Sequence, residues 1–209
     1  MEWTFEKIIG TEKELRDIMG YPNEVVIRKT INYIDTHCKN FIEKSPFITV
    51  ATADSKGNFD VSPKGDPAGF VKILNDKMLA IPDRPGNRKA DTLSNILQNP
   101  NIGLIFFIPG IKETLRVNGE AKIVTDDRVL ELLSCQGKTP SLAIIVQVKE
   151  AFMHCAKCII RSNLWMKTDD NVERTVSSLA KTLIDHAKLD ISQEELDARI
   201  KNDEKTNLY

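Results

Sequence analysis

The stretch IGLIFFIPGIKETLRVNGEAKIV, residues 102–124, decides how this chain folds. Residues 102–108 are an unbroken apolar run of strand length, and Pro109-Gly110 is a turn. Residues 114–124 then alternate, with Leu115, Val117, Ala121 and Ile123 facing one way and Arg116, Asn118, Glu120 and Lys122 the other. A period of two is the signature of a strand with one buried face, and a turn this short joins neighbouring antiparallel strands.

Outward from that pair the strand signal continues. Residues 47–53 are β-branched and apolar, residues 55–58 hold a Lys-Gly turn, and residues 59–62 resume as a second strand, making a hairpin. Further strands are expected over residues 70–74, 78–82 and 142–148, with a short helix ending at residue 98, stopped by Asn99-Pro100, and another over residues 126–135. Six or so strands joined by short turns argue for a largely antiparallel sheet curled into a barrel with helices around it, because a doubly wound parallel sheet needs longer crossovers.

Both flanks read as helical. Thr11 and Glu14 form a capping box before a helix that Gly20 can end, and Pro22 reopens a helical stretch running to Lys44. Beyond residue 167 two amphipathic helices are expected, the second opening on a capping box of Ser192 and Glu195. No composition shift divides the 209 residues, so the expectation is one domain: an arm over 1–44, a barrel core over 45–166 and C-terminal helices over 167–209.

Twenty-nine Lys plus Arg against 30 Asp plus Glu leave no global field for nucleic acid or an anionic membrane, so any anion site is local. The start MEWTFEKIIG does not read as a signal peptide, and the longest apolar run is too short to span a bilayer, which points to the cytoplasm. Cys38, Cys135, Cys155 and Cys158 do not make a disulfide scaffold.

The densest local charge is IPDRPGNRKAD, residues 81–91. Asn87 reads as a helix N-cap, which would put Arg88 and Lys89 in the first helical turn, where cations repel the partial positive charge of the free N–H groups. An anion held there turns that repulsion into attraction, so a phosphate site and a solvated basic loop are the two readings. SPKGDPAGF, residues 62–70, is a Gly/Pro loop without the sequence or setting of a nucleotide-hydrolysing phosphate loop, and it reads as either a ligand-lining segment or a tight turn. Thr114, Arg116 and Asn118 share the polar face of their strand, by itself an ordinary surface. His154, Cys155, Lys157 and Cys158, followed by Arg161 and Trp165, make a second polar cluster. Its CxxC spacing raises zinc or a dithiol, but no second short-spaced ligand pair exists to complete a metal site. Those residues form either a wall over a ligand, by stacking and charge, or the exposed side of a helix. Hydrolase, zinc-protease and Rossmann fingerprints are all missing.

Taken in order, SPKGDPAGF, IPDRPGNRKADTL, NPNIGLIFFIPG, ETLRVNG, and HCAK with RSNLW resemble the pyridoxamine 5'-phosphate oxidase-like superfamily of FMN-binding split β-barrels, in particular a branch of FMN-dependent enzymes that share these motifs. The resemblance implies a mainly β fold with flanking helices, a six-stranded antiparallel split β-barrel, and a homodimer with FMN at the subunit interface. It implies that Asn87, Arg88 and Lys89, with Arg84 as an additional cation, hold the FMN phosphate. Ile81 and Pro82 would pass the flavin, Ser62, Pro63 and Lys64 would line its ring, and Thr114 would stand where the oxidases use a Gln. His154, Lys157, Arg161 and Trp165 would wall the ligand side, with Lys64 and His154 as candidate proton donors or acceptors near N5. The oxidases' C-terminal Arg-x-His substrate motif is not evident, which argues against true pyridoxamine phosphate oxidation. The expected activity is therefore an FMN-dependent oxidoreductase acting on an unidentified small molecule, with NAD(P)H as the candidate reductant and no metal. The alternatives are a flavin- or haem-binding carrier, sensor or stress protein with little turnover, and a deazaflavin-dependent protein.

Overall fold

The computed structural model describes residues 2–166 and 176–207. The first part of the expected C-terminal segment, residues 167–175, together with Met1 and residues 208–209, lies outside the described residues.

Three helices precede the sheet: α1 (Glu12–Met19), α2 (Glu24–Arg28) and α3 (Thr36–Lys44). The Thr11 hydroxyl accepts from the Glu14 N–H while the Glu14 carboxylate accepts from the Thr11 N–H, completing the expected capping box, and Gly20 closes the helix at φ 72°. The single helical stretch expected from Pro22 to Lys44 is two helices. Between them the backbone of Ile31 pairs with Ala151, an extended contact that a continuous helix would exclude. Asp35 then starts α3 by accepting from the Cys38 N–H at 2.8 Å, and Phe41 and Ile42 enter the core from its inner face.

The strands are β1 (Phe47–Ala53), β2 (Phe59–Gly65), β3 (Lys72–Asn75), β4 (Met78–Pro82), β5 (Asn101–Phe107), β6 (Thr114–Val124) and β7 (Ala143–His154). All pair antiparallel in one sheet of order β2-β1-β5-β6-β7-β4-β3. The mainly β, antiparallel architecture is as expected, but the count differs from the expected six-stranded split barrel: there are seven strands, in an open sheet with β2 and β3 at its edges. Another correction concerns β7, expected over residues 142–148, which runs on to His154 because β6 is long enough to pair with it throughout. The register shifts at Asn118/Gly119, where β7 carries an extra residue, and the bend keeps both strands within the curved sheet.

The inner face holds one core, in which Ile48, Val50, Leu79, Ile81, Leu104, Phe106, Leu115 and Val117 are sealed from solvent. It meets α3 and α4 (Asp91–Gln98). The remaining helices are α5 (Asp127–Leu132), α6 (Lys157–Ser162), α7 (Leu179–Ala187) and α8 (Gln193–Thr206). Ser192 caps α8 by accepting from the Glu195 N–H at 3.1 Å. Among the described residues no helix is long and apolar enough to cross a membrane.

Candidate functional site

The two Gly/Pro segments, 62–70 and 81–91, meet at one cavity of about 1300 Å³. Strand β2 runs through Gly65, so Ser62, Pro63 and Lys64 belong to an edge strand that forms one wall. Pro82, at the end of β4, and the loop to α4 form the other. Two polar bonds fix α4 between them: the Thr92 hydroxyl donates to Asp60 on β2 at 2.7 Å, and the buried Asn95 amide donates to Thr52 on β1 at 3.1 Å.

The start of α4 differs from the sequence expectation. Asn87 is not its N-cap, and Arg88 and Lys89 lie before the helix: α4 begins at Asp91, and its N-cap is Ala90. The Asn87 carboxamide instead accepts from the Lys89 N–H at 2.9 Å, a local turn that competes with helix. Arg88 (φ 61°) and Ala90 (φ 59°) are left-handed, a conformation that ends any helical run and is costly for residues with a Cβ. No side chain caps α4, so its first N–H groups stay available where Thr92 and Leu93 line the cavity. Strained backbone beside uncapped donors singles out this turn more sharply than the charge run did.

Most cations here are already paired. Arg84 donates through Nε to Asp66 at 2.7 Å and through Nη2 to the Leu133 carbonyl at 2.8 Å, a nearly buried ion pair that ties the loop to the end of β2. Lys64 lies 3.8 Å from Asp83. Lys89 lies 2.6 Å from Asp91, whose hydrogen bond and charge hold the ammonium pKa above its ordinary value. Arg88 is exposed and makes no ion pair among the described residues. The cavity thus offers one uncommitted guanidinium, one ammonium shared with an exposed carboxylate, and a helix N-terminus.

Of the residues singled out from the sequence, the cavity brings together Ser62, Pro63, Lys64, Pro82, Arg84, Asn87, Arg88 and Lys89. Ile81 has its side chain in the core, and Thr114 is buried at the far end of β6, opposite His154. His154, Lys157, Arg161 and Trp165 do not line the cavity, and the Trp165 indole donates to the Ile111 carbonyl at 2.7 Å, bracing the β5–β6 turn. Sequence reading missed Asp66 and Asp60, acids that set the walls, and Asp203 of α8 and Asn207 just after it, which reach the same cavity. Asp66 sits inside the SPKGDPAGF motif, but nothing local marks it as the partner of Arg84, 18 residues on, and nothing local signals the α8 residues. Among the described residues no three potential metal ligands converge, and Cys155 and Cys158 are free and exposed.

Burial, with Arg116 and Lys29 nearby, holds the His154 pKa below its ordinary 6.5. Below about pH 6.5 the unfolded chain then binds more protons at this position than the folded one, so stability rises with pH across that window and is lost as pH falls. The urea midpoint of the wild type should fall between about pH 7 and pH 5 more steeply than that of His154→Gln. Parallel pH profiles would show that His154 is not shifted.

The profile of the family described as "Pyridoxamine 5'-phosphate oxidase" matches residues 34–155. The chain belongs to that family. Its matched part begins just before α3 and ends after β7, so the arm before residue 34 and helices α6 to α8 lie beyond the family's shared portion. No curated protein sequence matches the chain. Solved structures similar to it include HupZ of Group A Streptococcus, at 22% identity, covering 57% of this chain and 93% of that one with a TM-score of 0.49. An FMN-binding protein from Syntrophomonas wolfei subsp. wolfei is 15% identical over 68% of this chain and 93% of its own, TM-score 0.42. HutZ, the heme storage protein from Vibrio cholerae, is 15% identical over 58% and 93%, TM-score 0.42.

Proposed function

We propose that this member of the pyridoxamine 5'-phosphate oxidase family is an FMN-dependent oxidoreductase acting on a small molecule, with the FMN phosphate at the start of α4. The observation that carries the reading is that segments 62–64 and 82–89, separate in sequence, face each other across one cavity whose floor is an uncapped helix N-terminus. Its volume of about 1300 Å³ accommodates a ligand of FMN size and leaves room for a substrate. Arg88, the α4 N–H groups and Lys89 bind the phosphate, Lys89 turning from Asp91 to do so. The β2 backbone at residues 62–64 lines the ring, and Lys64 holds or delivers a proton there. FMN supplies the two-electron chemistry when bound, and the protein orients it and sets its polarity.

Among the described residues of one chain the cavity wall has no His, Cys, Met or Tyr, so haem bound there would need its axial ligand from a partner subunit. Homodimerisation fits the exposed apolar side chains of the edge strand, Phe59 at 81% and Val61 at 64% exposed, beside the cavity.

The direct test is to purify the protein, record its absorption spectrum and identify the ligand released on denaturation. FMN at one per chain, bleached by NAD(P)H without oxygen and restored by an oxidised acceptor, is the expected result. Stoichiometric FMN that no reductant bleaches would leave a carrier and end the oxidoreductase reading; haem or deazaflavin in its place would end both.

A further inference from the structure

Away from the cavity, the far end of the β6–β7 ribbon carries a cluster that the proposed function does not use. Arg116 and Phe152 are directly opposite each other, Thr114 and His154 are the next pair on the same face, and the arm lays Lys29 beside them. Lys29 is placed there by its own hydrogen bond to the Met153 carbonyl at 2.9 Å and by the Ile31–Ala151 bridge two residues on. The Lys29 ammonium stands 5.1 Å and the Arg116 guanidinium 5.4 Å from the centre of the Phe152 ring, whose other close neighbour is the His154 ring at 4.9 Å.

We propose that Arg116, Lys29 and the Phe152–His154 ring pair bind a small oxyanion, the carboxylate or phosphate group of a small-molecule ligand. Two cations from segments far apart in sequence converge on one neutral ring, and neither has a carboxylate within ion-pair distance among the described residues. On β7, Glu150 accepts from the Asn118 amide at 2.9 Å. Contacts to the ring hold the cations in place without neutralising them, so both charges stay available to an anion. In the proposed complex the oxyanion takes a two-point contact from the guanidinium and one from the ammonium. The His154 Nε2 is buried without a hydrogen-bond partner, and protonation beside a bound anion gives it a charged donor. Arg116 is half-buried and Lys29 exposed, so a ligand enters directly from solvent.

The chain has three histidines, so the His154 imidazole is resolvable by proton NMR and assignable with His154→Gln. Inorganic phosphate and benzoate, each titrated at constant ionic strength, are the probes. The expected result is a saturable shift of the His154 resonance with at least one of them, and a rise of its midpoint toward or above 6.5, while His37 and His186 stay put. Arg116→Gln and, separately, Lys29→Gln should each weaken the response by about tenfold. Lys29 lies on the exposed arm, so its variant tests the site without touching the sheet. A response to phosphate alone assigns a phosphate ester, to benzoate alone a carboxylate, and to both an oxyanion site of either kind. Unsaturable drift shared by all three histidines, or unchanged affinity in both variants, overturns the proposal. None of these groups lines the FMN cavity, so this experiment and the cofactor test fail independently.

Discussion

Replacing Arg88 and Lys89 together by alanine is expected to weaken FMN binding on the order of a hundredfold while leaving riboflavin affinity within about a factor of two. The phosphate is the only difference between those ligands, so the ratio of their affinities isolates it. Each charge-assisted hydrogen bond contributes roughly 1.5–3 kcal/mol, and two would sum to more than a hundredfold. The effect is smaller because Arg88 is exposed, Lys89 must leave Asp91, and the α4 N–H groups remain in the double variant. Isothermal titration of both ligands into apoprotein reads the ratio. Asp91→Asn should move it the other way, since removing the carboxylate 2.6 Å from Lys89 frees the ammonium. A double variant that still prefers FMN to riboflavin as strongly as the wild type would place the phosphate elsewhere.

Gly119→Ala should be the most damaging single substitution in the sheet. At the shift in register between β6 and β7 a Cβ on residue 119 would overlap the Gln147 carbonyl oxygen and crowd the Val146 Cγ1 at 3.1 Å. The obstacle is backbone of the partner strand, which cannot rotate away, so β6 and β7 must separate locally. We expect a loss of about 3 kcal/mol or more, a drop of roughly 6–12 °C in Tm for a chain of this size. Gly86→Ala is the control, because nothing lies within 4 Å of a Cβ there and its φ is not left-handed. Calorimetry on the three proteins decides it: a Gly119→Ala variant melting within about 1 °C of wild type would show that the two strands do not pair in this register.

Gly119 also shows how far a sequence can be read. In ETLRVNG its neighbours alternate cleanly, so the strand was legible, but the need for glycine arises from where Gln147 falls across the ladder, 28 positions away. The loop over residues 84–90 taught the same lesson in reverse. Three cations in a Pro/Gly turn were visible, yet Asn87 capping the Lys89 N–H, Arg88 left-handed and α4 starting at Asp91 came from a competition between local turn and helix. Arg84 looked like a third phosphate ligand because its acid, Asp66, is 18 residues distant and meets it only when β2 and β4 close on one cavity.

The sequence by itself determined that residues 47–148 carry antiparallel strands, because period two, apolar runs and turn dipeptides act over a few residues and leave a local record. It also determined that cations cluster in the Pro/Gly turn over residues 84–89 and that the N-terminal helix is boxed by Thr11 and Glu14. Only the tertiary structure decided the strand order, the open edges, and which charges stand uncommitted. It also separated His154 and Thr114 from the cavity and set Arg116 and Lys29 around Phe152. Those outcomes depend on pairs of residues far apart in the chain, and the free energy of such a pair is fixed by where the fold places its second member.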